Sequence, residues 1–258
     1  PRIAQVSVAG AAAIVLTLSF VPRGEGELTA LCQCVPVNIM GDFVVDVLIP
    51  EEDVIIADSE RLDASLELKA KGGAPRYNVV FFIFESLNWK SSDVYTPGLG
   101  TTPFLEQMAS QGQVIENQYT VVPHTTKAVV PLNCGIYPYL DTKPIETTPG
   151  ILPRRCLAHI LRSQGYQTAF FQPAANFEER HQLVANMGYD VYRGLDDLPQ
   201  EGFEETNYFG REERMMLEPS LQWVDSARKE GPFLLTYLTL STHHNYVTPQ
   251  SFPYVEYD

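Results

Sequence analysis

The spacing of apolar residues divides the chain into three stretches. From Ile3 to Val21 there is no charge, and IAQVSVAGAAAIVLTLSFV is bounded by Arg2 and by Arg23, Glu25 and Glu27. At about 1.5 Å per residue a helix over this stretch is roughly 28 Å long, close to the thickness of a bilayer core. The pattern therefore predicts a transmembrane helix over 1–22, with a signal-peptide apolar region or a buried core helix as alternatives. Residues 23–76 read as a connector, punctuated by Gly and Pro, charged at PEED and closed by KAKGGAP. Beyond Pro75 strand and helix periods alternate. NVVFFIF (78–84) is a continuous apolar run of strand length, expected to be covered on both faces. TPFLEQMASQG (102–112) carries helix signals at both ends: Thr102 as N-cap, Pro103 at the first position and Gly112 at the close. CLAHILRSQG, YQTAFFQ, FEERHQLVANMG and YDVYRG follow as helix, strand, helix and strand. A longer helical region runs from about Gly210 to Lys229 and is expected to bend or break at Pro219. PFLLTYLTLS (232–241) is a last buried strand, ending in THHNY.

This alternation predicts an α/β fold, a mostly parallel sheet with helices on both faces, preceded by the transmembrane helix. Sheets of that kind bind ligands beyond the carboxyl ends of their strands. Glu85 stands at the end of one predicted strand, and His243 and His244 at the end of another. The three are expected in one crevice, although an acid at a strand end also serves as a cap or ion-pair partner.

Composition narrows the chemistry. With 45% hydrophobic residues the 258-residue chain is long enough to bury a sizeable core. A formal net charge of −14 argues against a nucleic-acid partner, which needs a basic surface. An anionic substrate would need a cationic centre to offset repulsion, most simply a metal ion. Cys134 and Cys156 are either a disulfide, which fits an oxidising compartment, or two small buried side chains. Cys32 and Cys34 lack a second ligand pair, so no zinc site is expected there.

VVPHTTKAVVPLNCGIYP (121–138) supplies candidate nucleophiles. Thr125 and Thr126 follow an extended Pro-His pair and precede a segment able to begin a helix. A hydroxyl at a helix N-terminus suits attack on phosphorus or sulfur, because the free N–H groups stabilise negative charge. An ordinary N-cap is the competing reading, and Lys127 reads as a solvated side chain more readily than as a site charge.

Taken with Glu85 and His243, the order and spacing of these segments resemble the alkaline phosphatase superfamily, in its sulfatase-like, membrane-anchored branch. The resemblance runs from about Asn78 to Tyr246. NVVFFIFESLNW resembles the first strand of that branch and the acid after it, which implies Glu85 as a metal ligand. TPFLEQMASQGQVIENQYT resembles its next helix and strand. Counting back from Gly135 implies Thr125 as nucleophile and metal ligand, with Thr126 one residue off. The chain lacks the C/S-x-P-S-R setting that formylglycine sulfatases require, so formylglycine chemistry is disfavoured. Instead LNCGIYP, MGYDVYRGLDDL and LLTYLTLSTHHNY are similar to phosphoglycerol transferases and, more distantly, lipoteichoic acid synthases. That implies Arg180 and His243 as substrate-binding residues. It further implies a divalent metal (Mn2+, Mg2+ or Zn2+), a membrane phospholipid donor, a glycan or polyol acceptor, and an extracytoplasmic domain at the cell membrane. The aromatic that lipoteichoic acid synthases carry before the arginine is Glu178 or Glu179 here, a departure that leaves acceptor and head group open. Residues 77–258 then form the N-terminal part of a catalytic domain, with further metal ligands expected beyond Asp258. A sulfatase-like hydrolase acting on phosphodiesters or sulfates, and an inactive membrane-tethered binding module, are the alternatives.

Overall fold

The computed structural model describes residues 75–139, 143–153, 155–250 and 252. The candidate membrane helix 1–22 and Cys32 and Cys34 lie outside the described residues, as does all of the connector but its end. Among the described residues no helix is long and apolar enough to cross a membrane.

Four strands form one parallel sheet in the order β1 (Val79–Ile83), β6 (Phe233–Leu238), β2 (Gln167–Phe171), β3 (Val191–Arg193). The helices are α1 (Pro103–Gln111), α2 (Thr125–Cys134), α3 (Leu157–Ser163), α4 (Arg180–Asn186) and α5 (Leu217–Glu230). A small antiparallel hairpin, β4 (Glu205–Asn207) and β5 (Gly210–Arg211), stands apart from the main sheet. The expected mostly parallel sheet with helices on both faces is what the chain forms.

Alternation along the central strands explains the two layers. Phe170, Leu234 and Leu238 face Val129 and Val130 of α2, Ala158 of α3, and Leu183 and Val184 of α4. Their neighbours Ala169, Phe171, Phe233 and Leu235 face the other way, against Met215, Met216 and Ala227 on the side of α5. Each strand residue thus buries its side chain on the face its parity dictates, which is why both strands read as unbroken apolar runs.

Strand β1 departs from the expectation. Val79, Phe81 and Ile83 pack against the α2–α4 layer, whereas Val80, Phe82 and Phe84 are 49%, 48% and 42% exposed. Among the described residues β1 is the sheet edge, and no helix covers its second face, so an apolar run here does not mean burial on both sides. Two further expectations are corrected. Pro219 neither bends nor breaks a helix: α5 begins at Leu217, so Pro219 occupies its first turn, where the missing N–H has no intrahelical partner to lose. Gly210 to Met216 form β5 and a 3-10 turn instead of a first helical half. The strand implied after α1 is absent as well, since residues 113–121 carry no regular element.

Helix α1 does begin after Thr102 with Pro103 in its first turn, but the Thr102 side chain does not cap it. Its Oγ1 instead accepts a 2.8 Å hydrogen bond from the Asp93 N–H. The Asp93 carboxylate in turn accepts from the Gly100 and Thr102 N–H groups and from the Thr101 hydroxyl. These bonds close the 93–102 loop, and that of the Thr102 N–H foremost holds the Asp93 carboxyl down to about 2. Cys134 and Cys156 are disulfide-bonded, joining the last residue of α2 to the residue that precedes α3.

Candidate active site

The strand order 1-6-2-3 sets the carboxyl ends of β1, β6 and β2 side by side, and a cavity of about 300 Å3 lies beyond them. Glu85 comes from the end of β1, His243 from the loop after β6, Arg180 from the segment after β2, and Thr125 from the start of α2; all four line this cavity.

Glu85 is held through its backbone. Its N–H donates to Thr239 Oγ1 at 2.9 Å, and its carbonyl accepts from the Thr242 hydroxyl, so the turn after β6 clamps the end of β1. Ser86 follows at φ 51°, a left-handed conformation uncommon outside glycine, which swings the chain away and leaves the Glu85 carboxylate at the rim. Its Oε1 accepts hydrogen bonds from Ser86 Oγ at 3.0 Å and Thr125 Oγ1 at 3.1 Å.

Helix α2 presents its N-terminus to the cavity. His124, extended at φ −145°, precedes it, and Thr125 and Thr126 are its first two residues. The two hydroxyls part company there. Thr126 is fully buried, and its Oγ1 accepts from Arg180 Nη2 at 3.0 Å. Thr125 is half-buried and faces Glu85. The helix is fixed at both ends. At the far terminus Gly135 takes a left-handed conformation at φ 65° and closes on the Pro131 carbonyl. In the first turn Lys127 is not solvated, contrary to its reading from sequence. It is 5% exposed, and its Nζ donates to both oxygens of Glu146, at 3.3 and 3.2 Å, and to the Tyr139 carbonyl at 2.9 Å. Glu146 is wholly buried and also accepts from the Tyr139 N–H. Lys127 therefore holds the first turn of α2 in place and does not line the cavity.

Arg180 opens α4 and is 6% exposed. His243 packs edge-on against Phe209, with ring centroids 4.9 Å apart, and its buried Nδ1 has no hydrogen-bond partner among the described residues. His244 packs its ring at a tilt against His243 and Tyr208 but is exposed and does not line the cavity. Phe209 sits at the tip of the β4–β5 hairpin. A Cβ at Gly210 would collide with the Pro173 carbonyl oxygen, so glycine is what lets the hairpin close against the segment after β2. Gln172, Phe177, Phe209 and Thr239 also line the cavity, and none stood out in the sequence. Gln172 and Thr239 fall inside the segments read as strands, YQTAFFQ and PFLLTYLTLS, and directly follow β2 and β6 in the structure; the hairpin strands are too short to show a period.

Glu85 and Thr125 offer two oxygen donors turned toward each other, the donor type that hard divalent cations accept. Among the described residues no group of three or more His, Cys, Asp or Glu side chains is placed to hold a metal ion. The pair suits part of a coordination sphere and does not complete one.

Comparison with known proteins bears on the family and the fold. A family model described as Sulfatase matches residues 77–257. Phosphoglycerol transferase I of Xanthomonas campestris pv. campestris (strain B100) is 28% identical over 187 residues, which cover 66% of this chain and 25% of that protein. Phosphoglycerol transferase I of Xanthomonas euvesicatoria pv. vesicatoria (strain 85-10) is 27% identical over the same length. The chain spans about a quarter of the length of these curated relatives. Among solved structures, an alkaline phosphatase superfamily protein from Vibrio parahaemolyticus superposes with a TM-score of 0.60 at 21% identity, covering 72% of this chain and 45% of that one. A lipoteichoic acid synthase from Listeria monocytogenes superposes at 0.57 and 16% identity, covering 67% and 43%. With the family model spanning the whole α/β unit, the chain belongs to the sulfatase family.

Proposed function

We propose that this chain is part of a membrane-anchored, extracytoplasmic phosphoryl transferase. It moves a phosphoglycerol-type head group from a membrane phospholipid to a glycan or glycerol acceptor through a phospho-threonine on Thr125. The observation that carries the reading is the pairing of Thr125 Oγ1 with Glu85 Oε1 at 3.1 Å, at a helix N-terminus that shares its cavity with Arg180 and His243. The relatives named phosphoglycerol transferase I favour that head group over sulfate, as does the absence of a formylglycine setting.

Glu85 polarises the Thr125 hydroxyl and, with Thr125, would hold a divalent cation; that ion, when bound, lowers the hydroxyl's pKa and offsets phosphoryl charge. Thr125 Oγ attacks phosphorus, forming an O–P bond as the bond to the diacylglycerol oxygen breaks. Arg180, braced by Thr126, meets an anionic phosphoryl oxygen, and the helix N-terminus stabilises the same charge. His243 gives a proton to the departing oxygen. In the second half-reaction an acceptor hydroxyl attacks phosphorus and frees Thr125, so the kinetics are ping-pong.

The test is diacylglycerol release from phosphatidylglycerol by the whole protein in detergent with Mn2+, with and without a polyol acceptor. The proposal expects release that accelerates with acceptor and yields phosphoglycerol-modified acceptor. Release that ignores acceptor would make the protein a hydrolase, and no release would contradict the reading.

A further inference from the structure

Gln172 is the residue directly after β2, 3% exposed, and it lines the candidate active site. Its backbone is occupied, the N–H donating to the Arg193 carbonyl at 3.0 Å. Its side chain is not: the carboxamide Oε1 is buried and has no hydrogen-bond partner among the described residues. A buried carbonyl oxygen without a donor is rare because it gives up its hydration and gains nothing in return. Such a group beside a cavity is explained most simply by a partner that arrives with the ligand.

The chemistry of that partner follows from the cavity wall. Phosphoryl oxygens only accept, and Arg180 is already there to meet them. A carboxamide is neutral, and its oxygen needs a donor. An ammonium group would also donate, but it calls for a carboxylate, and the acid among the lining residues is Glu85, which the functional reading commits to Thr125 and the cation. A hydroxyl donates to the oxygen and can accept from the amide nitrogen, matching both ends of the side chain. We propose that Gln172 is a specificity-determining residue, its Oε1 accepting a hydrogen bond from a hydroxyl of the polyol esterified to the phosphorus. This rests on the phosphoglycerol transfer reading and adds to it the residue that distinguishes a polyol head group from one without hydroxyls.

The experiment compares kcat/KM of the whole protein, with Mn2+, on phosphatidylglycerol and on phosphatidylpropanol, which has the same head-group length and no hydroxyl. Wild type is expected to prefer the glycerol lipid by about tenfold to a hundredfold, the loss that one unpaired buried acceptor brings. Gln172→Met, nearly isosteric, should bring that ratio close to one by slowing the glycerol lipid alone, and its retained propanol turnover reports that it is folded. Gln172→Glu keeps an acceptor of the same shape; it should keep the preference while slowing both lipids through repulsion of the phosphate. The inference is overturned if Gln172→Met keeps the wild-type ratio, if Gln172→Glu loses it, or if Gln172→Met impairs phosphatidylethanolamine more than phosphatidylglycerol. A wild-type protein that transfers from none of these lipids overturns the functional reading and this inference with it, whereas wild-type transfer that Gln172→Met leaves intact overturns the inference alone.

Discussion

Replacing Lys127 with Met removes the cation from a buried pair and leaves its partner behind. Glu146 has no solvent exposure, and with Lys127 gone one backbone N–H among the described residues, that of Tyr139, remains on its carboxylate. Breaking a buried pair in this one-sided way costs roughly 3–5 kcal/mol, because the desolvated charge persists without compensation. For a unit of this size that corresponds to a fall of about 10 °C in melting temperature. The Lys127→Met/Glu146→Leu double variant removes both charges and should recover most of the loss, since an apolar pair of similar volume is often neutral or better. Because Lys127 is the third residue of α2, the single variant should also lower kcat through misplacement of Thr125, with a smaller effect on KM. Thermal and urea unfolding of the wild type and the variants, followed by tryptophan fluorescence, give the comparison. A single variant within about 1 kcal/mol of wild type would refute the reasoning, as would a double variant no better than the single one.

Two further outcomes are expected. The Asp93 carboxyl, held down to about 2 from an ordinary 3.8, contributes stability that is fully present above about pH 4 and is lost as pH falls through 2. Asp93→Asn should therefore melt below wild type at pH 7, and the gap should narrow as pH drops below 4; a gap that stays constant to pH 2 would show that the carboxylate charge is not what the loop uses. Replacing both Cys134 and Cys156 with Ala, which opens a loop of 22-residue separation, should cost roughly 3 kcal/mol by chain entropy. A denaturation midpoint unchanged by the substitution or by reductant would contradict a structural bridge.

What could be read from the sequence depended on how local each determinant is. The central strands were legible because Phe170, Leu234 and their neighbours are apolar on both parities, and the site's location followed from the rule that parallel strands bind ligands at their carboxyl ends. That rule brought Glu85 and His243 to one cavity, and the resemblance added Thr125 and Arg180. The exposure of Val80 and Phe82 on β1 was not legible, since both look the same whether or not a layer covers them. Lys127 was misread for a related reason: its partner Glu146 is 19 positions away, and no local pattern links them. Pro219 was judged by its residue type alone, whereas its effect depends on where the helix begins. Gln172 gave no signal as a polar residue at a strand end. Only its burial, with an unpartnered oxygen beside a cavity, sets it apart.

The central claim is that Thr125 carries the transferred group. The direct measurement is peptide mapping by mass spectrometry of the whole protein after brief incubation with phosphatidylglycerol and Mn2+ without acceptor. The account predicts one phosphoglycerol increment on the peptide holding Thr125, with the fragment ions placing it on that residue and none on Thr126, and no increment in Thr125→Ala. An increment on Thr126, or one that persists in Thr125→Ala, would contradict it.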